Sequence, residues 1–177
     1  MNIVLLEGSP NKKGSSNLLA EQFLRGAKES GHVVSVADIA HAKLHPCIGC
    51  YHCEREGVCC FQDDLEKIKE QILCADMIAF VTPLYYFGMS SQIKVLIDRF
   101  TSFNDLIQEK HLKSVLISVA SGTEEWIFEA LEAHYKAIGH YLNLEDQGIL
   151  LGYGCGTVDM TRQSEYMNQA YELGKKI

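Results

Sequence analysis

The chain has 177 residues, 47% of them hydrophobic and 22% charged, with a formal net charge of −7. This length buries a full core without disulfide or metal staples, and the balance is that of a globular protein. The acidic total argues against a general nucleic-acid binder, which shows a basic footprint, and no apolar run approaches the roughly 18 residues needed to span a membrane.

The first element is "NIVLLE" (2–7), a near-continuous apolar run with no basic region before it. It reads as a buried strand rather than a signal peptide, so a cytoplasmic location is expected, where thiols stay reduced. A helix follows over 16–30, with Leu19 and Phe23 four apart, serines at its start and Gly31 at its end. A second strand is expected over 32–38, and a helix over 63–74 with a stripe of Leu65, Ile68 and Ile72 behind Asp63 and Glu66, an acidic variant of the capping box. The strand "MIAFVTP" (77–83) precedes a helix over 90–103 that lines up Ile93, Leu96, Ile97 and Phe100. The strand "SVLISVA" (114–120) precedes one over 124–139 with Ile127, Leu131, Tyr135 and Ile138. A weaker fifth strand falls within 144–154, centred on 147–152, and a last amphipathic helix over 161–175.

Apolar runs without alternation suit parallel strands covered on both faces. Strands alternating with helices imply right-handed βαβ units. The expected fold is therefore α/β, a flavodoxin-like doubly wound five-stranded parallel sheet with helices on both faces, forming a single domain over 1–177. One connection does not fit: about twenty residues (40–62) separate the second strand from the second helix, and they hold five of the seven cysteines. Loops of that length in compact domains are functional or disordered.

Ligands of doubly wound sheets bind outside the carboxyl ends of the strands, and three loops lie there. "EGSPNKKGSSNLL" (7–19) offers the hydroxyls of Ser9, Ser15 and Ser16 and a helix N-terminus, an arrangement suited to a phosphate. Five residues separate Gly8 from Gly14 and a serine follows, so this is not a Walker loop, and G-x-G-x-x-G is absent. "TPLYYFG" (82–88) puts three aromatics at the same edge, either a platform for a flat heterocycle or a plain core cap or subunit contact. Gly88 would let backbone approach a ring closely. "VASGTEE" adds Ser121 and Gly122, with Thr123 readable as a simple N-cap.

"GSPNKKGSS", the cysteine loop ending in "CFQDDL", and "TPLYYFGMSSQIKVLIDR" together resemble the flavodoxin-like NAD(P)H-dependent FMN reductases, the iron–sulfur flavoprotein-like branch above all. The resemblance covers about residues 1–122. It implies FMN with its phosphate held by Ser9, Asn11, Ser15 and Ser16. The ring system would lie against Pro83, Leu84, Tyr85, Tyr86, Phe87 and Gly88, with Ser121 and Gly122 near the other edge. It implies an oxidoreductase in which NAD(P)H is substrate and electrons pass through FMN to a small-molecule acceptor: a quinone, a flavin, an azo or a nitro compound. It also implies a homodimer whose second subunit completes the pocket, consistent with the aromatic patch. The family often has Arg where Asn11 stands and Asn-Thr where Ser15-Ser16 stand, so Lys12 or Lys13 is expected to compensate. Asp98 and Arg99 read as a structural ion pair. The alternatives are an electron carrier serving a protein partner and a non-enzymatic binding module.

The cysteines Cys47, Cys50, Cys53 and Cys59 have the spacing C-x2-C-x2-C-x5-C. Two consecutive short gaps let three thiolates converge from one turn, and four thiolates are what a 4Fe–4S cluster requires. Zinc is a rival, although this spacing crowds a single tetrahedral ion. A metal-free lid over the flavin or a redox-thiol loop is the third reading. Cys60, Cys74 and Cys155 fall outside the pattern and read as spare or buried thiols, which are usually inert.

Overall fold

A computed structural model describes residues 1–177. Five strands, β1 (Asn2–Glu7), β2 (Val33–Asp38), β3 (Met77–Pro83), β4 (Lys113–Val119) and β5 (Glu145–Gly152), form one parallel sheet in the order β2-β1-β3-β4-β5. β3 is buried along its whole length, as its unbroken apolar run requires. β2 forms an edge and leaves Val33 and Val36 exposed.

Side chains alternate across the sheet into two cores. On one face Ile3, Leu5, Ala79, Val81, Val115 and Ile117 meet Leu19 and Phe23 of α1 (Ser15–Glu29) and Ala170 of α8 (Tyr166–Lys176). On the other face Val4, Leu6, Ile78, Phe80 and Leu116 meet α3 (Leu65–Leu73), α4 (Ser91–Arg99), α5 (Asn104–Lys110) and α6 (Glu129–Tyr141). The two remaining helices are short: α2 (His52–Glu56), inside the cysteine loop, and α7 (Val158–Gln163). None of the helices is long and apolar enough to cross a membrane.

The doubly wound sheet stands as expected, but eight helices replace the five read from sequence. The pattern over 90–103 ends as a helix at Arg99, passes through a 3-10 turn and breaks at Phe103, whose extended φ starts α5. The last helix is interrupted at Ser164, which leaves helical geometry and donates its hydroxyl to the Thr161 carbonyl (2.7 Å). β5 begins two residues earlier than its apolar run. The carboxylate of Asp146 accepts from the Tyr135 hydroxyl (3.0 Å) and the Gly148 N–H (3.0 Å), and a register shift between Ser114 and Val115 leaves Gln147 unpaired.

Candidate functional site

The carboxyl ends of β1, β3, β4 and β5 open onto one cleft of about 280 Å³. Ser9, Asn11, Ser15 and Ser16 form one wall, Pro83, Leu84 and Tyr85 a second, and Ser121 a third. Backbone bonds hold these loops together. The Gly8 N–H donates to the Val81 carbonyl (2.8 Å), and the Ser90 hydroxyl donates to the Gly8 carbonyl (2.7 Å) while the Ser90 N–H donates to the Thr82 hydroxyl (2.9 Å). A Cβ at Gly8 would run into Ile93, so this glycine lets α4 close against the end of β1.

The first loop wraps on itself. Ser9 Oγ accepts from the Asn11 N–H (3.3 Å), and the Gly14 N–H donates to the Asn11 carbonyl (2.8 Å). Gly14 is the N-cap of α1 and offers no side chain, so the leading N–H groups of a fifteen-residue helix face the cleft uncapped. No acidic residue lines the cleft, although the chain as a whole is acidic. The lysines expected to add charge do not reach it. Lys12 pairs with Asp38 (3.4 Å), the last residue of β2, and neither Lys12 nor Lys13 is among the lining residues.

A second hollow of about 300 Å³ adjoins the first, sharing Leu84, Ala120 and Ser121 and adding Tyr86, Phe87, Gly122 and Ile127. Tyr85 and Gly88 bond each other through both backbone groups (3.1 Å each), a two-residue hairpin with Tyr86 and Phe87 at its tip. Both tip residues have positive φ (45° and 64°). That geometry favours Asn-Gly, and bulky aromatics hold it only against strain, as found at functional sites. The left-handed backbone therefore falls on the aromatics, and Gly88, expected to let backbone approach a ring closely, lines neither hollow. Tyr86 is fully exposed, and Phe87 packs on Trp126 with ring centroids 5.1 Å apart.

The sequence reading missed the loop after β5. Cys155, Gly156, Thr157 and Val158 also line the cleft, with Gly156 against Ser121. The Cys155 N–H donates to the Ala120 carbonyl (2.7 Å) and Gly154 N–H to the Gly122 carbonyl (2.9 Å), which binds the fourth and fifth loops together. Cys155, read as a spare or buried thiol, is buried in that wall. The signal was "GYGCGT" at the carboxyl end of the fifth strand, at the same edge as the other three loops.

The cysteine loop lies elsewhere. Its residues line neither hollow. Its first residues, Ala40 to Leu44, lie beside Ser91, Gln92 and Val95 at the start of α4, and its cysteine-bearing part lies beside Arg99 at the far end, about 13 Å along the axis from the Ser90 junction. There Arg99 is buried and paired not with Asp98, which binds Lys94, but with Asp63 through two bonds (3.0 and 3.2 Å). Arg99 also donates to the His45 carbonyl (2.7 Å), the His45 N–H donates to Asp63 (2.9 Å), and the His45 ring stacks on Phe61. One ion pair thus joins both feet of the loop to α4. Burial alone would raise the Asp63 carboxyl, but hydrogen bonds from Arg99 and His45 outweigh it and hold it at about 2.

Cys47, Cys50, Cys53, Cys59 and Cys60 line one hollow of about 210 Å³ beside Arg99. They do not converge on a point: no three His, Cys, Asp or Glu side chains are arranged to hold a single ion, so the zinc reading finds no geometry. Cys59 packs partly into the core beside Arg99, whose buried Nε has no hydrogen-bond partner. Cys60, not Cys59, meets Cys50, with sulfurs 3.5 Å apart. The backbone N–H of His52 lowers the Cys50 thiol, while the bond with Cys50 pushes Cys60 up to about 11.

A family model described as NADPH-dependent FMN reductase matches residues 1–145. The chain is similar to an iron–sulfur flavoprotein of Methanocaldococcus jannaschii, 36% identical over 99 residues, covering 56% of this chain and 51% of the relative. An Archaeoglobus fulgidus iron–sulfur flavoprotein is 26% identical over 179 residues, covering 100% of this chain and 79% of the relative. A Bacillus subtilis protein named for an NAD(P)H-dependent FMN-containing oxidoreductase is 27% identical over 190 residues, covering 99% and 98%. The chain thus spans about half the length of the first of these relatives. Among solved structures, an NAD(P)H:quinone oxidoreductase from Methanothermobacter marburgensis superposes with a TM-score of 0.81 at 20% identity, over 99% of this chain and 95% of that one.

Proposed function

Because the chain belongs to the NADPH-dependent FMN reductase family, we propose that it binds FMN in the cleft at the carboxyl edge of the sheet and reduces a small-molecule acceptor with electrons from NAD(P)H. The observation that carries this reading is the cleft itself: an uncapped helix N-terminus, three serines and Asn11 on a wall free of carboxylates, next to a more apolar hollow under strained aromatics. When bound, FMN supplies hydride acceptance from the nicotinamide and onward electron transfer. The protein's part is positional. Ser9, Ser15, Ser16 and Asn11 with the N–H groups of α1 hold the phosphate. Pro83, Leu84 and Tyr85 form the floor for the ring system, and Ser121 and Gly122 bound its far edge. No general base is needed.

Tyr85, Tyr86, Phe87 and Trp126 stand exposed together. A homodimer covers such a patch and closes the acceptor side of the cleft. Added FMN raises the melting temperature by mass action if the cleft is its site, and light scattering of the FMN complex gives the mass of a dimer. Unchanged stability and unchanged flavin fluorescence at saturating FMN, or a monomeric mass, overturn the respective parts.

A second reading concerns the cysteine loop: Cys47, Cys50, Cys53 and Cys59 as ligands of a 4Fe–4S cluster, with a protein as electron acceptor. Thiols spread around a hollow suit a cuboidal cluster better than a single ion, and the unpartnered Nε of buried Arg99 is a donor for its negative charge. Iron and acid-labile sulfide in anaerobically prepared protein test it, and their absence removes it without touching the first reading.

A further inference from the structure

We propose that Cys50 and Cys60 form a redox dithiol, oxidised by low-molecular-weight disulfides to a disulfide within the loop. The two sulfurs lie 3.5 Å apart on side chains that are both exposed. A disulfide bond is about 2.05 Å long, so closure asks for about 1.5 Å of movement, within the range of side-chain rotation at an exposed site. The backbone has already made the approach. α2 lies between the two residues, entered at Tyr51 and left at Gly57, both in the left-handed region (φ 55° and 73°), and this reversal returns residue 60 to residue 50. The neighbouring Cys59 is half-buried, packed partly against the core beside Arg99, whereas Cys50 and Cys60 are both exposed and are the pair in sulfur contact.

The chemistry balances as ordinary exchange. The thiolate of one cysteine attacks a small disulfide RSSR, forming a mixed disulfide and releasing RSH. The second cysteine then attacks the mixed disulfide, and a second RSH leaves with the remaining proton. The loop loses two electrons and the reagent gains them. The oxidised loop has no Cys50 thiolate to offer a metal, so oxidation and metal binding exclude each other. That last consequence rests on the cluster reading above; the disulfide does not.

The test uses full-length protein with FMN, reduced and chelator-treated so that no metal holds the thiols, then equilibrated with oxidised and reduced glutathione at graded ratios. Alkylation and intact mass should show two of the seven cysteines protected. Trypsin cuts after Arg55, between the partners, so the linked product is a pair of peptides that dithiothreitol separates. Cys50→Ser and Cys60→Ser should each abolish the link, and Cys47→Ser and Cys59→Ser should keep it. A link that survives Cys60→Ser, one that requires Cys59, or full alkylation of both thiols at a thousandfold excess of oxidised over reduced glutathione overturns the proposal.

Discussion

The cleft at the carboxyl edge and the cysteine loop are both strand-to-helix connections, yet they are held in different ways. The cleft is fixed many times over. Backbone bonds tie its loops pairwise, Ser90 joins the ends of β1 and β3 to α4, and Gly8 lets α4 close against the first of them. No single one of these contacts carries the shape. The cysteine loop is held at its two feet, where Asp63 gathers Arg99 and His45, and Lys43 and Asp64 bond each other through the Asp64 carboxylate and backbone, while Cys47, Cys50 and Cys60 stay exposed. A site for a preformed fit is built from contacts spread over all its loops, while a loop with reactive side chains is fastened at its feet around a buried charge and left open between them.

That contrast predicts where substitutions act. The largest effect is expected at the anchor. Arg99→Ala leaves the Asp63 carboxylate buried without its guanidinium and costs about 3–5 kcal/mol in urea unfolding, while FMN affinity of the folded protein stays unchanged. Replacing Arg99 and Asp63 together by apolar residues should recover most of that loss. Next comes the cleft: Ser15→Glu sets a charge against the phosphate at a half-buried position. It is expected to weaken FMN about a hundredfold, near 2.7 kcal/mol, with the melting temperature of the ligand-free protein unmoved.

A smaller effect is read with pH. The Asp63 carboxyl is held at about 2 when folded, below its unfolded value. Its contribution is therefore complete above roughly pH 4 and lost as pH falls toward 2. A melting-temperature profile should fall over that window and flatten there in Asp63→Asn. The smallest effect is expected at Lys12, whose pairing with Asp38 is exposed and directed away from the cleft. Lys12→Ala should change both stability and FMN affinity by less than about 0.5 kcal/mol. A larger drop in affinity would mean that the lysine turns inward when FMN binds.

The strands and their order of use were legible because a strand buried on both faces needs an unbroken apolar run, and a run such as "MIAFVTP" satisfies little else. The loops that follow such strands must emerge at one edge, so Ser9, Ser15, Ser16, Tyr85 and Ser121 could be gathered from sequence, with Pro83 and Leu84 added by the family resemblance. What sequence order could not settle were pairings between distant residues. Arg99 follows Asp98, but adjacent residues on a helix point about 100° apart, and the partner came from thirty-six positions away. Cys59 and Cys60 are equivalent in composition and differ by one place in spacing. The reversal through α2 turned one toward the core and the other onto Cys50. The loop after β5 joined the cleft through bonds to Ala120 and Gly122, and the feet of the cysteine loop met the buried Arg99 at the end of α4. Local periodicity determines which segments form and which face each buries, whereas the meeting of two distant side chains depends on how those faces pack, which is decided only when the whole chain is folded.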